Sequence, residues 1–333
     1  MTARYILSRS RKQARRSPRH LFYITTLSIA MIFLTFAFYK DTMASISEAL
    51  SLCARSLIPS LFPFMVISEI LINTNAMELP LIKNRMLTKK LLGICPESTA
   101  ALLLSLVCGF PIGAKCASSL YKNGRIDMAE YRHLISFSNN PSPAFLIGAV
   151  GITLLNDITA GILLYISTVS AALIIGHVGG RISFGQRNGT KISMPKNSVS
   201  EKKSGVRIFT DAIVSSAYSM IAVCAFVIFF SAVNGGIESL LSCAQLSEPF
   251  AAVIMGSLEM TGGISRAAKL DGIGIYVIAM LSGWSGLSVS FQLISICGKD
   301  NVSFKSYFLS KLIQSALSPI IFFILDSLLK FIS

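Results

Sequence analysis

The run Ser98-Thr99-Ala100-Ala101-Leu102-Leu103-Leu104-Ser105-Leu106-Val107-Cys108-Gly109-Phe110-Pro111-Ile112-Gly113-Ala114-Lys115 decides how this chain folds. It holds seventeen uncharged residues before Lys115. A helix needs about 20 apolar residues to cross a ~30 Å hydrocarbon core. This run is short of that and is interrupted at Gly109-Phe110-Pro111-Ile112-Gly113, where proline withholds a backbone donor and glycine loosens the chain. The pattern over 98–120 predicts a re-entrant helical hairpin that enters and leaves on the cytoplasmic side.

The composition around the hairpin is that of a membrane protein. Of 333 residues, 53% are hydrophobic and 14% charged, whereas soluble domains carry about 25% charged residues. A soluble enzyme, a disordered chain and a disulfide scaffold are excluded. The net charge of +14 comes largely from seven Lys/Arg within 1–20 and seven within 179–208. Basic tracts beside membrane spans stay cytoplasmic. No aromatic residues are interleaved in them as nucleic-acid binding would ask, so no nucleic-acid partner is expected. The seven cysteines form no C-x-x-C pair and read as structural thiols, with no metal site.

Outward from the hairpin, the charges order the remaining segments. Residues 1–20 form a basic cytoplasmic arm and 21–40 a retained signal-anchor helix. A first repeat occupies 46–180: a span at 46–72 with Pro59 and Pro63, the hairpin, a span from Leu134 to Asn156 broken at Ser138–Pro143, and a span over Ile158–Gly180. The basic loop 181–208 returns to the cytoplasm. The second repeat, 209–330, has the same order: Ala212–Ile237, a hairpin at 249–270 broken at Glu259–Gly263, a span over Gly272–Gly298 broken at Ser282–Gly286, and a last helix at about 306–330. Ala49–Ile70 also aligns without gaps to Ala212–Val233. The fold class expected is an all-α polytopic membrane protein. It is an inverted repeat of broken helices and re-entrant hairpins, with about seven transmembrane crossings. Secondary transporters are built this way, with the solute held where the breaks meet.

Broken helices suit a site because their N-termini expose unpaired N–H groups and partial positive charge. The candidate substrate residues are therefore Pro111, Gly113, Ser138, Asn139, Asn140 and Ser142 in the first half. Thr261, Gly262, Ser282 and Ser285 are their counterparts in the second. Charges at membrane depth are expensive and point to function. Lys115 is the expected partner of a substrate carboxylate; Glu259 and Arg266 are candidates for a coupling group or second charge partner. Trp284, the lone tryptophan, stands in the second broken span. No Walker, H-E-x-x-H, G-x-S-x-G or dinucleotide fingerprint is present, so neither enzyme nor cofactor is expected.

Gly109–Lys115, Gly124, Glu130, Ser136–Phe145 and Gly148-Ala149-Val150 together resemble the YlbJ sporulation integral membrane proteins. Pro59–Phe64 and Glu259–Gly262 carry the same resemblance, which covers about 46–325. It implies membership of the nucleoside-recognition or Gate group, similar in fold to concentrative nucleoside transporters. It further implies a stage V sporulation role in an endospore-forming Firmicute, moving dipicolinic acid from the mother cell across the outer forespore membrane. The expected partners are a small dipicolinate-like organic anion and the lipid bilayer. A coupling ion and a homo-oligomer are left open. So are two alternatives: a nucleoside-type or other small-solute transporter, and a non-transporting scaffold or sensor needed for spore maturation.

Overall fold

The structure is a computed structural model that describes residues 18–74, 85–186, 204–298 and 303–332. The basic arm up to residue 17 and positions 187–203 of the basic loop lie outside those residues. The described residues are helical throughout, joined by turns. Among the described residues, four helical segments are long and apolar enough to cross a membrane, counting Gly274–Cys297 as one, and a bent pair brings the number to five. The difference from seven crossings has a physical reason. The two expected crossings not among them, 46–72 and 134–156, carry Pro59 with Pro63 and the Ser138–Pro143 break, and such interruptions divide a span into shorter helical pieces.

Helix α1 (Pro18–Ala37) covers the expected anchor. It meets α2 (Tyr39–Leu52) at a 97° bend. A π-helical turn, Cys53–Leu57, leads from α2 into α3 (Ile58–Asn73), which absorbs Pro63 inside it. Short α4 (Arg85–Leu92) is tied down by two histidines: His133 bonds the Leu92 carbonyl at 2.7 Å and His177 that of Leu91 at 2.6 Å.

The first hairpin is α5 (Pro96–Cys108) and α6 (Ile112–Lys122), packed on each other. Gly109 takes φ +75°, a conformation that glycine adopts without a Cβ penalty. α7 (Met128–Ser138) starts at Asp127, whose Oδ1 accepts from Glu130 N at 2.7 Å. Glu130 Oε1 accepts in turn from Cys95 N and Ser98 Oγ, both at 2.7 Å, which locks α7 to the start of the hairpin. After the break the chain continues as a π-helical segment, Ala144–Leu154, and then α8 (Ile158–Gln186).

In the second half α9 (Gly205–Cys243) runs well beyond the expected 212–237. The second hairpin is α10 (Glu248–Leu258) and α11 (Met260–Ala267). Its arms touch closely: a Cβ on Gly263 would lie 2.1 Å from the Gly256 Cα. The second broken span is α12 (Gly274–Trp284) and α13 (Gly286–Cys297), separated by Ser285 at φ +69°. The last helix, α14 (Lys305–Ile332), packs along α12 and α8 and reaches α7.

Two main apolar cores result. One surrounds the first hairpin through Met65, Ile112, Leu134, Phe137 and Leu293; the other surrounds the second through Leu164, Ala252, Ile264, Leu281 and Phe322. Outward-facing Phe33, Phe36, Tyr218, Ile221 and Phe323 are exposed, as lipid-facing side chains are in the absence of a bilayer. All seven cysteines are free thiols; Cys53, Cys108, Cys116 and Cys297 are buried, while Cys243 is exposed.

Candidate functional site at the helix breaks

The breaks of the two halves meet through α14. Lys311, fully buried, donates from Nζ to the Asn139 carbonyl at 2.5 Å, to Gln314 Oε1 at 3.0 Å and to Ser285 Oγ at 3.3 Å. Gln314 Nε2 donates to Asn140 Oδ1 at 2.7 Å and to the Thr168 carbonyl at 3.1 Å. Asn139 and Asn140 belong to the first broken span and Ser285 to the second. One turn of α14 therefore joins both interruptions. Among the described residues, no carboxylate lies within ion-pair distance of Lys311.

The first hairpin tip is fastened to its neighbouring break. Phe110 N donates to the Asn140 carbonyl at 2.9 Å, and Ser105 Oγ bonds the Ser138 carbonyl. Gly113 lies beneath that contact: a Cβ there would approach Ser105 Oγ to 2.5 Å and the Ser138 oxygen to 2.8 Å. Pro111 caps α6. Pro111, Gly113 and Ser138 thus make the scaffold of the break.

Two cavities lie against the breaks. The smaller, about 190 Å³, is walled by Phe64, Phe110 and Val227, with Ser142, Ser288 and Gln292 among its polar groups. The larger, about 730 Å³, carries Asn234, Gly262, Arg266 and four glutamates, a size in the ~300–1,000 Å³ range of small-molecule sites. Glu259 and Thr261 line both. Glu259 is the N-cap of α11, its carboxylate accepting from Thr261 N at 3.1 Å and Gly262 N at 2.9 Å.

The remaining candidates sit elsewhere. Lys115 is buried, with Nζ 2.8 Å from Ser216 Oγ and 3.5 Å from Glu69 Oε2, and it lines neither cavity. Arg266 is bound to Glu248 through Nε at 2.7 Å and Nη2 at 2.9 Å, and to Glu238 through Nη1 at 2.9 Å. Those bonds hold the exposed Glu248 carboxyl below its usual range. Ser282 Oγ bonds back to the Ile278 carbonyl at 2.7 Å within its own helix. Trp284 Nε1 donates to the Ser257 carbonyl at 3.0 Å, bracing α12 against the second hairpin.

The sequence reading missed Lys311 and Gln314. The signal was present, since Lys311 interrupts an apolar last helix just as Lys115 interrupts the hairpin. Lys311 and Gln314, unlike Lys115, do not follow a Gly/Pro break, and only packing brings them to the breaks.

No known family profile matches the chain, and no solved structure does. Among curated proteins, it is 25% identical to the sporulation integral membrane protein YlbJ of Bacillus subtilis over 337 aligned positions. That alignment covers 89% of this chain and 82% of the relative. With its apolar helices and interrupted spans, the chain is an integral membrane protein similar in sequence to the YlbJ sporulation protein.

Proposed function

We propose that this protein is a sporulation membrane transporter that carries a small organic anion, dipicolinate, from the mother cell across the outer forespore membrane. The observation that carries the reading is Lys311: a buried cation between two helix breaks, bonded only to neutral acceptors among the described residues. A buried ammonium without a counter-charge is expensive, and a carboxylate would satisfy it with a stronger, charge-assisted bond. The N-terminus of α13 begins at Gly286, beside Ser285, and adds the positive end of a helix dipole. In this conformation Lys311 is sealed from solvent. Transport then requires the breaks to part, so that a substrate carboxylate replaces Asn139 and Ser285 as the lysine's partners.

Uptake into proteoliposomes tests this. Dipicolinate is expected to accumulate saturably. Uptake of nucleosides instead would make the solute neutral, and flat responses to dipicolinate, simple dicarboxylates and nucleosides alike would leave a scaffold or sensor.

A further inference from the structure

Gln314 sits one turn beyond Lys311 on α14 and is equally buried. Each polar atom of its side chain has a partner. Nε2 donates to Asn140 Oδ1 at 2.7 Å and to the Thr168 carbonyl at 3.1 Å, while Oε1 accepts from Lys311 Nζ at 3.0 Å. The two acceptors fix which end of the amide carries the nitrogen. Asn140 is held in the same way: its Nδ2 donates to the Phe137 carbonyl at 2.8 Å, which leaves Oδ1 for Gln314. Position 314 therefore asks for two N–H donors on one side and an oxygen acceptor on the other, which is what the amide of glutamine offers.

Glutamate has the same length and would give Lys311 an ion pair, but an ionised carboxylate has no donor for Asn140 and Thr168. The amide thus does two things at once. It orients the ammonium, and it leaves the positive charge uncompensated. The other partners of Nζ, the Asn139 carbonyl and Ser285 Oγ, are neutral as well, and no carboxylate among the described residues lies within ion-pair distance. Lys115 is the contrast: it is also buried, yet it has Glu69 at 3.5 Å. A charge paired inside the protein has little to gain from a solute, whereas one held by neutral dipoles gains a charge-assisted bond.

We infer that Gln314 sets the charge selectivity of this junction: its neutral amide positions Lys311 without neutralising it, and so reserves the ammonium for a carboxylate-bearing solute over a neutral isostere. This selectivity presupposes the transport role proposed above, and the experiment separates the two. Initial uptake rates into proteoliposomes are measured for dipicolinate and for the diamide of dipicolinic acid, which keeps the ring and the shape but carries no charge. Wild type is expected to favour dipicolinate. Gln314→Glu places a carboxylate beside Nζ as an internal competitor. The ratio of dipicolinate to diamide uptake should then fall about tenfold or more, equivalent to ~1.4 kcal/mol. Gln314→Met removes the amide and adds no charge. Both variants leave Asn140 and Thr168 without their donor, so both should melt at a lower temperature. Gln314→Met should nevertheless keep the wild-type ratio, which can be read even if Gln314→Glu proves too unstable. A merely structural role would lower the uptake of both solutes together. An unchanged ratio in Gln314→Glu, or a ratio lost in Gln314→Met, overturns the role of Gln314 and leaves the transporter standing. Wild-type uptake of neither solute, or of the diamide alone, overturns the transport reading and the selectivity with it.

Discussion

Lys311 Nζ on α14 lies 2.5 Å from the carbonyl oxygen of Asn139, the residue that ends α7. That carbonyl is freed by the helix break, and an unpaired buried carbonyl needs a donor. The lysine supplies it while also reaching Ser285 in the second half. A side chain on the last helix thus holds two interruptions that are far apart in sequence.

Lys311→Met is expected to reduce dipicolinate uptake about tenfold or more, as a bond to a charged group contributes ~1.5–3 kcal/mol. Stability should fall by about 1–3 kcal/mol, because the Asn139 carbonyl loses its donor, while methionine fills similar volume and removes a buried charge that has no ion pair among the described residues. Thermal unfolding and uptake measured on the same preparation separate the two effects. Wild-type uptake by Lys311→Met would remove the lysine from the transport path.

Lys115 was expected to meet the substrate, and the structure gives it Glu69 and Ser216. Lys115→Met should then destabilise the protein by about 3–5 kcal/mol by leaving a carboxylate without its partner. Lys115→Met with Glu69→Gln should recover most of that loss. A double-mutant cycle in chemical denaturant reads the coupling. If the pair shows no coupling and anion affinity alone falls, Lys115 is a substrate contact.

Gly113→Ala should destabilise the first hairpin, by roughly 1–3 kcal/mol for an overpacked site. Its methyl would press on Ser105 and on the carbonyl of Ser138. A melting temperature equal to that of the wild type would show that the tip can give way.

The Arg266–Glu248 pair predicts an acid-sensitive contribution. Arg266 lowers the Glu248 carboxyl, so the stabilisation is complete above the ordinary carboxylate range and is lost as pH falls through the depressed value. Wild type and Arg266→Gln should differ slightly at neutral pH and converge in strong acid. A gap that persists unchanged in acid would assign the effect to packing.

Sidedness is open to direct measurement. The basic loop 181–208 is expected in the cytoplasm and the 238–248 connection outside. A cysteine introduced at Thr190 and the exposed native Cys243 should label from opposite sides. Labelling of both from one side would sink the inverted arrangement.

Much of the architecture was legible along the chain, for a local reason. Hydrophobic run length, proline and glycine act within a few residues, so the breaks at 109–113, 138–143 and 282–286 could be placed before any packing was known. The ends of α9 were not, because the residues that extend it, such as Arg207, Asp211 and Glu238, are charged and lie beyond the apolar run.

The candidate site was legible in part. Asn139, Asn140 and Ser285 stood out because they interrupt helices, and the structure brings Asn139 and Ser285 to Lys311 and Asn140 to Gln314 one turn further on. Lys115 stood out for its charge, but a charge at depth says only that a partner is required. Glu69 is the one it has, from a helix whose register against the hairpin no local pattern reveals.

By itself the sequence determined that the chain is a membrane protein of interrupted helices, since the hydrocarbon core tolerates only long apolar runs or breaks with satisfied backbone. Only the tertiary structure decided which groups satisfy those breaks. Lys311 with Asn139, Glu130 with the start of α5, and Asn234 with the Met255 carbonyl are pairings between separate segments, fixed by how the helices pack against one another.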